Sequence, residues 1–542
     1  AVARRRGAVA VAAAALERAA ALTPEPVRKG ERLVRAAEVA YELGLVEIVA
    51  RLLQQVEAVE IGPLEAARSA WLQHMISGDV WVQRGAANAF VEISRQMHDG
   101  GDTAMALRSL VPIAHRCWWT RPRARTRQYL IDTAEGFGVS EDDPLLLAVI
   151  ALAHPERTGP RVLDRVSRMT LRDFADPGSL MYLGIAAEKA GDHVAGRQLL
   201  ARAIERLREQ GRIGMLTEAL VYHAGTAIYT GAWAVAAAAG AEAARLAHDS
   251  RQPQFGLTGA ILAAHAAALR GDEPDIDALL AEPERTLRAM NGGPLLAPAH
   301  LARASAALGD GRHDDAFQHL WPVFDKSDPA FHRFLRWRAV LDLAEAAARG
   351  EHAPLVAEVI DELEKIATQS SPPILCANLA CARPLVAADD KAERLFRVAL
   401  RQDQTGYPFE RARTLFSFGC WLRRQRRSAE SRKPLRDAID LFDALGATRW
   451  SMRARQELRA TGETIGHRTP DARDRLTAQE MQIASLAAQG LSNREIGERL
   501  FLSHRTIGSH LYRIFPKLEI TSRAQLRDAL PERTEVSDRT VD

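Results

Sequence analysis

The stretch from Leu476 to Leu518 reads LTAQEMQIASLAAQGLSNREIGERLFLSHRTIGSHLYRIFPKL. It holds three helix starts of one design. Thr477 stands three residues before Glu480, so its hydroxyl can accept an orphan backbone N–H while the glutamate reaches back, and Leu476 and Met481 staple the turn. The helix that follows should run to about Gln489, with Ile483, Leu486 and Ala487 on one face and Gly490 closing it. Ser492 and Glu495 repeat the box, stapled by Leu491 and Ile496, and open a short helix that ends near Leu500. Ser503 is the third N-cap, with Leu502 and Ile507 as its staple. The third helix should end near Phe515, because Pro516 disfavours helical geometry in the residue before it.

A short helix, a tight turn at Phe501-Leu502-Ser503 and a longer helix make a helix-turn-helix. On a wheel of 100° per residue, Ile507, Leu511 and Ile514 share the face that must pack on the two earlier helices. Arg505, Gly508, Ser509 and Tyr512 fall opposite, flanked by Thr506 and Arg513. From Arg499 to Lys517 there are four basic residues and no acid. A helix that enters the major groove needs that, because every phosphate repels a carboxylate. Residues 466–533 hold 11 Lys+Arg against 8 Asp+Glu, so the whole of the chain's net charge of +3 sits there.

The chain has 542 residues, too many for one ordinary domain unless the fold is an array of repeats. Apolar residues make up 47% and charged residues 26%, which excludes a disordered or fibrous chain. Aromatics are only 6%, while alanine and leucine are abundant, a bias toward helix. Small turn residues recur at Gly191-Asp192, Gly231-Ala232, Gly271-Asp272, Gly311-Arg312, Gly350-Glu351 and Asp389-Asp390, with spacings of 40, 40, 40, 39 and 39. A seventh turn near Arg426-Arg427 fits the series without glycine. Each turn stands between two apolar-periodic segments. A helix–turn–helix unit at this period is the mark of an α-solenoid, in which stacked neighbours bury stripes that no single unit can bury alone. Residues 1–170 are helical by pattern but less regular.

Cys117, Cys376, Cys381 and Cys420 show no zinc spacing and read as reduced thilols of a cytoplasmic protein, with no metal site. Arg4-Arg5-Arg6 before the alanine-rich run to Leu16 imitates a signal peptide, but the run continues into charged helix, and no apolar stretch reaches the ~18 residues of a membrane span. No nucleophile elbow or other catalytic motif marks an enzyme. Trp321, Phe324, Phe331, His332, Phe334 and Trp337 crowd one segment and are a candidate effector or partner site on a concave face, with core packing as the competing explanation. The run from Arg116 to Arg127, with Trp118 and Trp119, is a basic stretch with aromatics that reads as a loop and helix start.

The motifs Leu476-Thr477-x-x-Glu480, Gly490-Leu-Ser-Asn-Arg-Glu-Ile496, Leu500-x-Leu-Ser503-x-Arg-Thr506-Ile507-x-x-His510, and Lys517-Leu518 with Ser522-Arg523-Ala524 resemble the LuxR-type helix-turn-helix. The whole chain resembles the large ATP-binding regulators of that family. The resemblance implies a bacterial transcription regulator that binds double-stranded DNA, as a homodimer or higher assembly on DNA. It places Gly508, Ser509 and Tyr512 toward bases, with Arg513 beside them, and Ser503, Arg505, Thr506, His510, Lys517 and Arg523 toward phosphates or in positioning roles. Two positions depart from the family: 508 carries a lysine in many relatives, and Glu519 stands where a glycine often ends the third helix. The resemblance implies ATP only for an N-terminal module. This chain has no Gly-Lys pair, hence no phosphate loop, so no cofactor is expected in it. It reads as the C-terminal portion of a longer regulator or as a form without the ATPase.

The expected fold is therefore all-α. Irregular helical repeats span 1–170 and TPR-like repeats of about forty residues span 171–464. A linker follows over 465–475, then a four-helix LuxR-type domain over 476–533 and a disordered tail over 534–542. The repeats are expected to sense a small-molecule or protein effector. The alternative is an interaction scaffold whose terminal domain, through a last helix at 523–530, mainly dimerises.

Overall fold

Helix starts along the chain follow from short acidic residues placed before apolar runs. Asp143 and Asp176 each precede a proline at the first helical position, and each carboxylate accepts first-turn backbone N–H groups, Asp176 from Ser179 at 2.9 Å. Asp102, Asp192 and Asp275 cap their helices in the same way. The computed structural model describes residues 14–526, apart from 78–85, 121, 170–175, 251, 273–274, 291, 349–351, 403, 405, 464–475, 477, 501–503, 519 and 521. The Arg4–Arg6 start, the Gly350-Glu351 turn, the 465–475 linker, the caps at Thr477 and Ser503 and the 534–542 tail lie outside the described residues.

The chain forms two compact units divided between Thr461 and Gly462. In the first, α1 (Pro26–Glu42), α2 (Val46–Glu57), α3 (Pro63–Ser77) and α4 (Ala86–Asp99) lead into an array of two alternating layers. The first layer holds α5 (Thr103–Trp119), α7 (Pro144–Ala153), α9 (Pro177–Ala190), α11 (Ile213–Tyr229), α13 (Pro253–Arg270), α15 (Ala297–Gly309), α17 (Arg336–Ala347), α19 (Pro373–Val386) and α21 (Pro408–Arg424). The second holds α6 (Ala124–Gly136), α8 (Pro155–Arg168), α10 (His193–Gln210), α12 (Trp233–Asp249), α14 (Ile276–Ala289), α16 (His313–Phe324), α18 (Ala353–Ser370), α20 (Asp389–Arg401) and α22 (Ser428–Leu445), and α23 (Thr448–Arg459) closes the unit.

Every first-layer helix packs on the next first-layer helix and on its second-layer neighbour. That geometry explains two burial patterns. α9 is buried on all sides, every residue but Ser179, whereas α20 buries only the stripe Ala392, Phe396 and Ala399. The all-α architecture of paired helices matches the sequence expectation, and its two-layer packing begins at α5. Among the described residues no helix is long and apolar enough to cross a membrane.

The forty-residue turns share one backbone conformation. Gly191, Gly231, Gly271 and Gly311 follow the ends of α9, α11, α13 and α15 with φ of 101°, 75°, 75° and 76°, the left-handed geometry that favours glycine. Asp389 differs. Ala387 and Ala388 are extended before α20, so no left-handed residue is needed there. At the seventh turn Arg426 itself takes φ of 61°, which costs a side-chain-bearing residue roughly 1–2 kcal/mol.

The array coils until helices several repeats apart meet. Ile374 donates its N–H to Gly191 O at 3.1 Å, Arg449 pairs with Asp310 at 2.7 Å, and Arg333 pairs with Glu156. The two aromatic-rich segments meet inside this coil: Trp118 stacks on Phe334 with centroids 4.5 Å apart and contacts His332 at 5.9 Å. Phe331, His332, Phe334 and Trp337 are buried, Phe324 is buried on α16, and Trp321 is partly exposed beside Phe317. The interior is also charged. Arg338 and Lys189 converge on Glu188, and Lys189 Nζ lies 4.3 Å from the Trp118 ring centroid. Arg413 bonds Glu345 at 2.9 and 2.8 Å and Asp342 at 2.6 Å. Burial pushes the Glu188 carboxyl up, but the Lys189 and Arg338 charges outweigh it and hold it down at about 2. At Glu410 burial outweighs the opposing pull of a backbone hydrogen bond and of Arg413, and raises the carboxyl to about 7. Around Trp118 and Arg413 the coil thus packs aromatic and charged side chains against one another.

Candidate nucleic-acid interface

The second unit is built from α24 (Ala478–Ala488), α25 (Asn493–Leu500) and α26 (His504–Lys517), followed by a 3₁₀ turn at Arg523–Gln525. The box at Ser492 forms in both directions: Ser492 N–H donates to Glu495 Oε2 at 2.6 Å, and Glu495 N–H to Ser492 Oγ at 3.3 Å. Hydrogen bonds from the Ser492 hydroxyl and from its backbone N–H hold the Glu495 carboxyl below its ordinary range. A further box at Ser522 and Gln525 opens the last turn, and its Ser-x-x-Gln signature stands in the sequence. α26 runs through Pro516 to Lys517, two residues past the expected end. Proline in a last turn removes one N–H, and Leu518 N–H still reaches Ile514 O at 3.0 Å.

Ile507, Leu511 and Ile514 are buried against Ile483, Ala484, Ala487 and Ile496, with Leu486 and Met481 partly buried around them. This core fixes the roll of α26, because one face of the helix carries all three of its apolar anchors. Arg505, Ser509, Tyr512 and Arg513 are therefore exposed, and with Gly508 they line one shallow depression. Tyr512 is 80% exposed, a ring left in water on a unit whose other described large apolar side chains are buried or partly buried. The side chains of Arg505 and Tyr512 bond nothing among the described residues, while Arg513 Nε reaches Ser509 O at 3.3 Å. Gly508 opens the middle of the face: a Cβ there would meet only Asn493 Nδ2, at 3.6 Å.

Other residues expected to touch DNA are placed differently. Lys517 Nζ bonds both carboxylate oxygens of buried Glu480 at 2.7 Å and ties the end of α26 to the start of α24. Arg523 donates to Asn493 Oδ1 at 2.6 Å and to Leu491 O, clamping the last turn onto the start of α25. His510 and Thr506 are half-buried at the sides of α26, and His510 Nδ1 is enclosed. Ser503 lies outside the described residues. The sequence carries no signal of the Lys517 and Arg523 contacts, since their partners are thirty or more residues away.

Residues 474–529 match the family described as bacterial regulatory proteins, luxR family. A Mycobacterium tuberculosis protein provisionally named an HTH-type transcriptional regulator is 36% identical over 87 residues, 16% of this chain and 9% of its own length. The transcriptional regulatory protein LiaR of Bacillus subtilis is 42% identical over 50 residues, 9% of this chain and 24% of its own. The virulence-factor transcription regulator BvgA of Bordetella pertussis is 38% identical over 53 residues, 10% of this chain and 25% of its own. The chain thus spans a quarter or less of the length of these relatives. The segment from α24 through the last turn is a LuxR-type helix-turn-helix domain.

Proposed function

We propose that this protein regulates transcription by binding double-stranded DNA through α26, and that the helical array carries the signal that controls binding. The observation behind the DNA reading is the face of α26. Its apolar anchors turn Arg505, Ser509, Tyr512 and Arg513 outward around the gap at Gly508, with no acid on the helix. Cations without carboxylates suit a surface that meets phosphates, and Tyr512 and Ser509 suit base edges. Arg505 and Arg513 reach the backbone or a guanine edge. Lys517 and Arg523 act as positioning residues, because they hold α26 and the last turn in register. One such domain covers one half-site, so tight binding takes two copies on a repeated site.

The array is far larger than DNA binding requires, and this size supports a role in sensing an effector or partner. The test is to crosslink the protein to DNA in bacterial cells and sequence what is recovered. The proposal expects a short sequence with two related half-sites, lost in a variant carrying Arg505→Ala and Arg513→Ala. Recovery of the same fragments with that variant would reject the assignment of α26.

A further inference from the structure

A cavity of about 520 Å³ opens among α16, α17, α19, α20, α21 and α23. That volume lies within the ~300–1,000 Å³ range of small-molecule sites. Its apolar wall is aromatic: Phe396, Phe416 and Trp421 line it, all buried. The Trp421 indole N–H donates to Asp389 Oδ1 at 2.9 Å, which fixes the ring plane.

The charged groups of the wall are unequally engaged. Both carboxylates have partners: Asp389 takes the indole, and Glu345 takes Arg413 at 2.9 and 2.8 Å, with Arg453 at 3.7 Å. Arg453 also lies over the Phe416 ring at 5.3 Å, and Arg423 bonds Glu457 at 2.7 Å. Arg424 is exposed at the cavity and has neither ion pair nor hydrogen bond among the described residues, and the Ser417 hydroxyl bonds nothing there either. The open capacity of this site is therefore a guanidinium and a hydroxyl beside an aromatic wall. An apolar ring packs against the exposed edge of such a wall, and a free guanidinium pairs with a carboxylate or sulfonate in two-point geometry.

We propose that this cavity binds a small aromatic acid, its ring against Phe396, Phe416 and Trp421 and its anionic group met by Arg424 and Ser417. The site rests on the cavity's own side chains and needs no DNA, so its failure leaves the DNA-binding reading untouched.

The experiment titrates the full chain with 8-anilinonaphthalene-1-sulfonate, an aromatic anion that fluoresces when shielded from water, and in parallel with the uncharged N-phenyl-1-naphthylamine. Wild type should bind the anion saturably. Arg424→Glu, a surface change that leaves the core alone, should weaken the anion at least tenfold and leave the uncharged probe within twofold. Ser417→Phe, which fills the cavity, should weaken both probes. Melting followed by circular dichroism confirms that each variant is folded, and Ser417→Thr is the smaller substitute should Ser417→Phe fail to fold. Absence of saturable anion binding to wild type, or an anion affinity in Arg424→Glu within twofold of wild type, would overturn the proposal.

Discussion

Replacing Gly508 by lysine should strengthen both the domain and its grip on DNA. Gly508 sits inside α26, where glycine costs ~1 kcal/mol relative to alanine and roughly 0.7 relative to lysine. Nothing obstructs a side chain, since the nearest atom to a Cβ would be Asn493 Nδ2 at an ordinary 3.6 Å. In a domain of this size 1 kcal/mol moves the melting temperature by ~4–8 °C, so Gly508→Lys should raise it by about 3–6 °C. The new cation joins Arg505 and Arg513 on the exposed face. If that face meets the phosphate backbone, one more phosphate is neutralised and the slope of log K against log salt steepens by ~0.9. Binding at moderate salt should tighten by about fivefold, or ~1 kcal/mol. Gly508→Ala separates the two effects: it should raise the melt and leave the salt slope alone. The assay pairs melts of residues 462–542 with fluorescence-anisotropy titrations of a DNA duplex at several salt concentrations. A lowered melt would refute the packing argument. A raised melt with an unchanged salt slope in Gly508→Lys would refute the placement of this face on DNA.

Three further outcomes follow from particular contacts. Arg505→Ala should weaken DNA binding by ~1–3 kcal/mol in the same titration and leave the melt unchanged, because its side chain bonds nothing within the domain. Lys517→Met leaves buried Glu480 without its ammonium partner, so the domain should lose about 1–3 kcal/mol in urea unfolding, with part regained by adding Glu480→Gln. Glu410→Gln tests the charged interior. The folded carboxyl, raised to about 7, binds its proton more tightly than the unfolded one, so its contribution is present below pH ~4.5 and is lost as pH rises to about 7. The variant should match wild type near pH 4.5 and exceed it at pH 8, by an amount on the order of 3 kcal/mol. A constant difference across that range would refute the buried-carboxylate assignment.

What could be read from the sequence was local. The second unit was legible because its boundaries are set by residues three apart: Ser492 and Glu495 form the box that their spacing implies. The roll of α26 was legible because Ile507, Leu511 and Ile514 fall on one face. The repeat turns were legible where glycine marks a left-handed residue, as at Gly231 and Gly271, and Arg426 keeps the geometry without the marker. Long-range closure was not legible. Arg333 finds Glu156 across 177 residues of sequence, and no periodicity encodes that meeting. The segments around Trp118 and Phe334 therefore read as two independent features and not as one interior stack. The same limit applies to Lys517, which reads as an available cation until Glu480, 37 residues earlier, is placed against it. The cavity beside Arg424 has the same origin, since six helices of the coil contribute to its wall.

The central claim is that the exposed face of α26 meets the DNA backbone and bases. The most direct measurement is the affinity of the full chain for a recovered DNA site as salt is raised, compared with Arg505→Ala. The account predicts a steep fall in wild-type affinity with salt, and a slope shallower by ~1 in the variant. Binding that is insensitive to salt, or identical slopes for the two proteins, would contradict it.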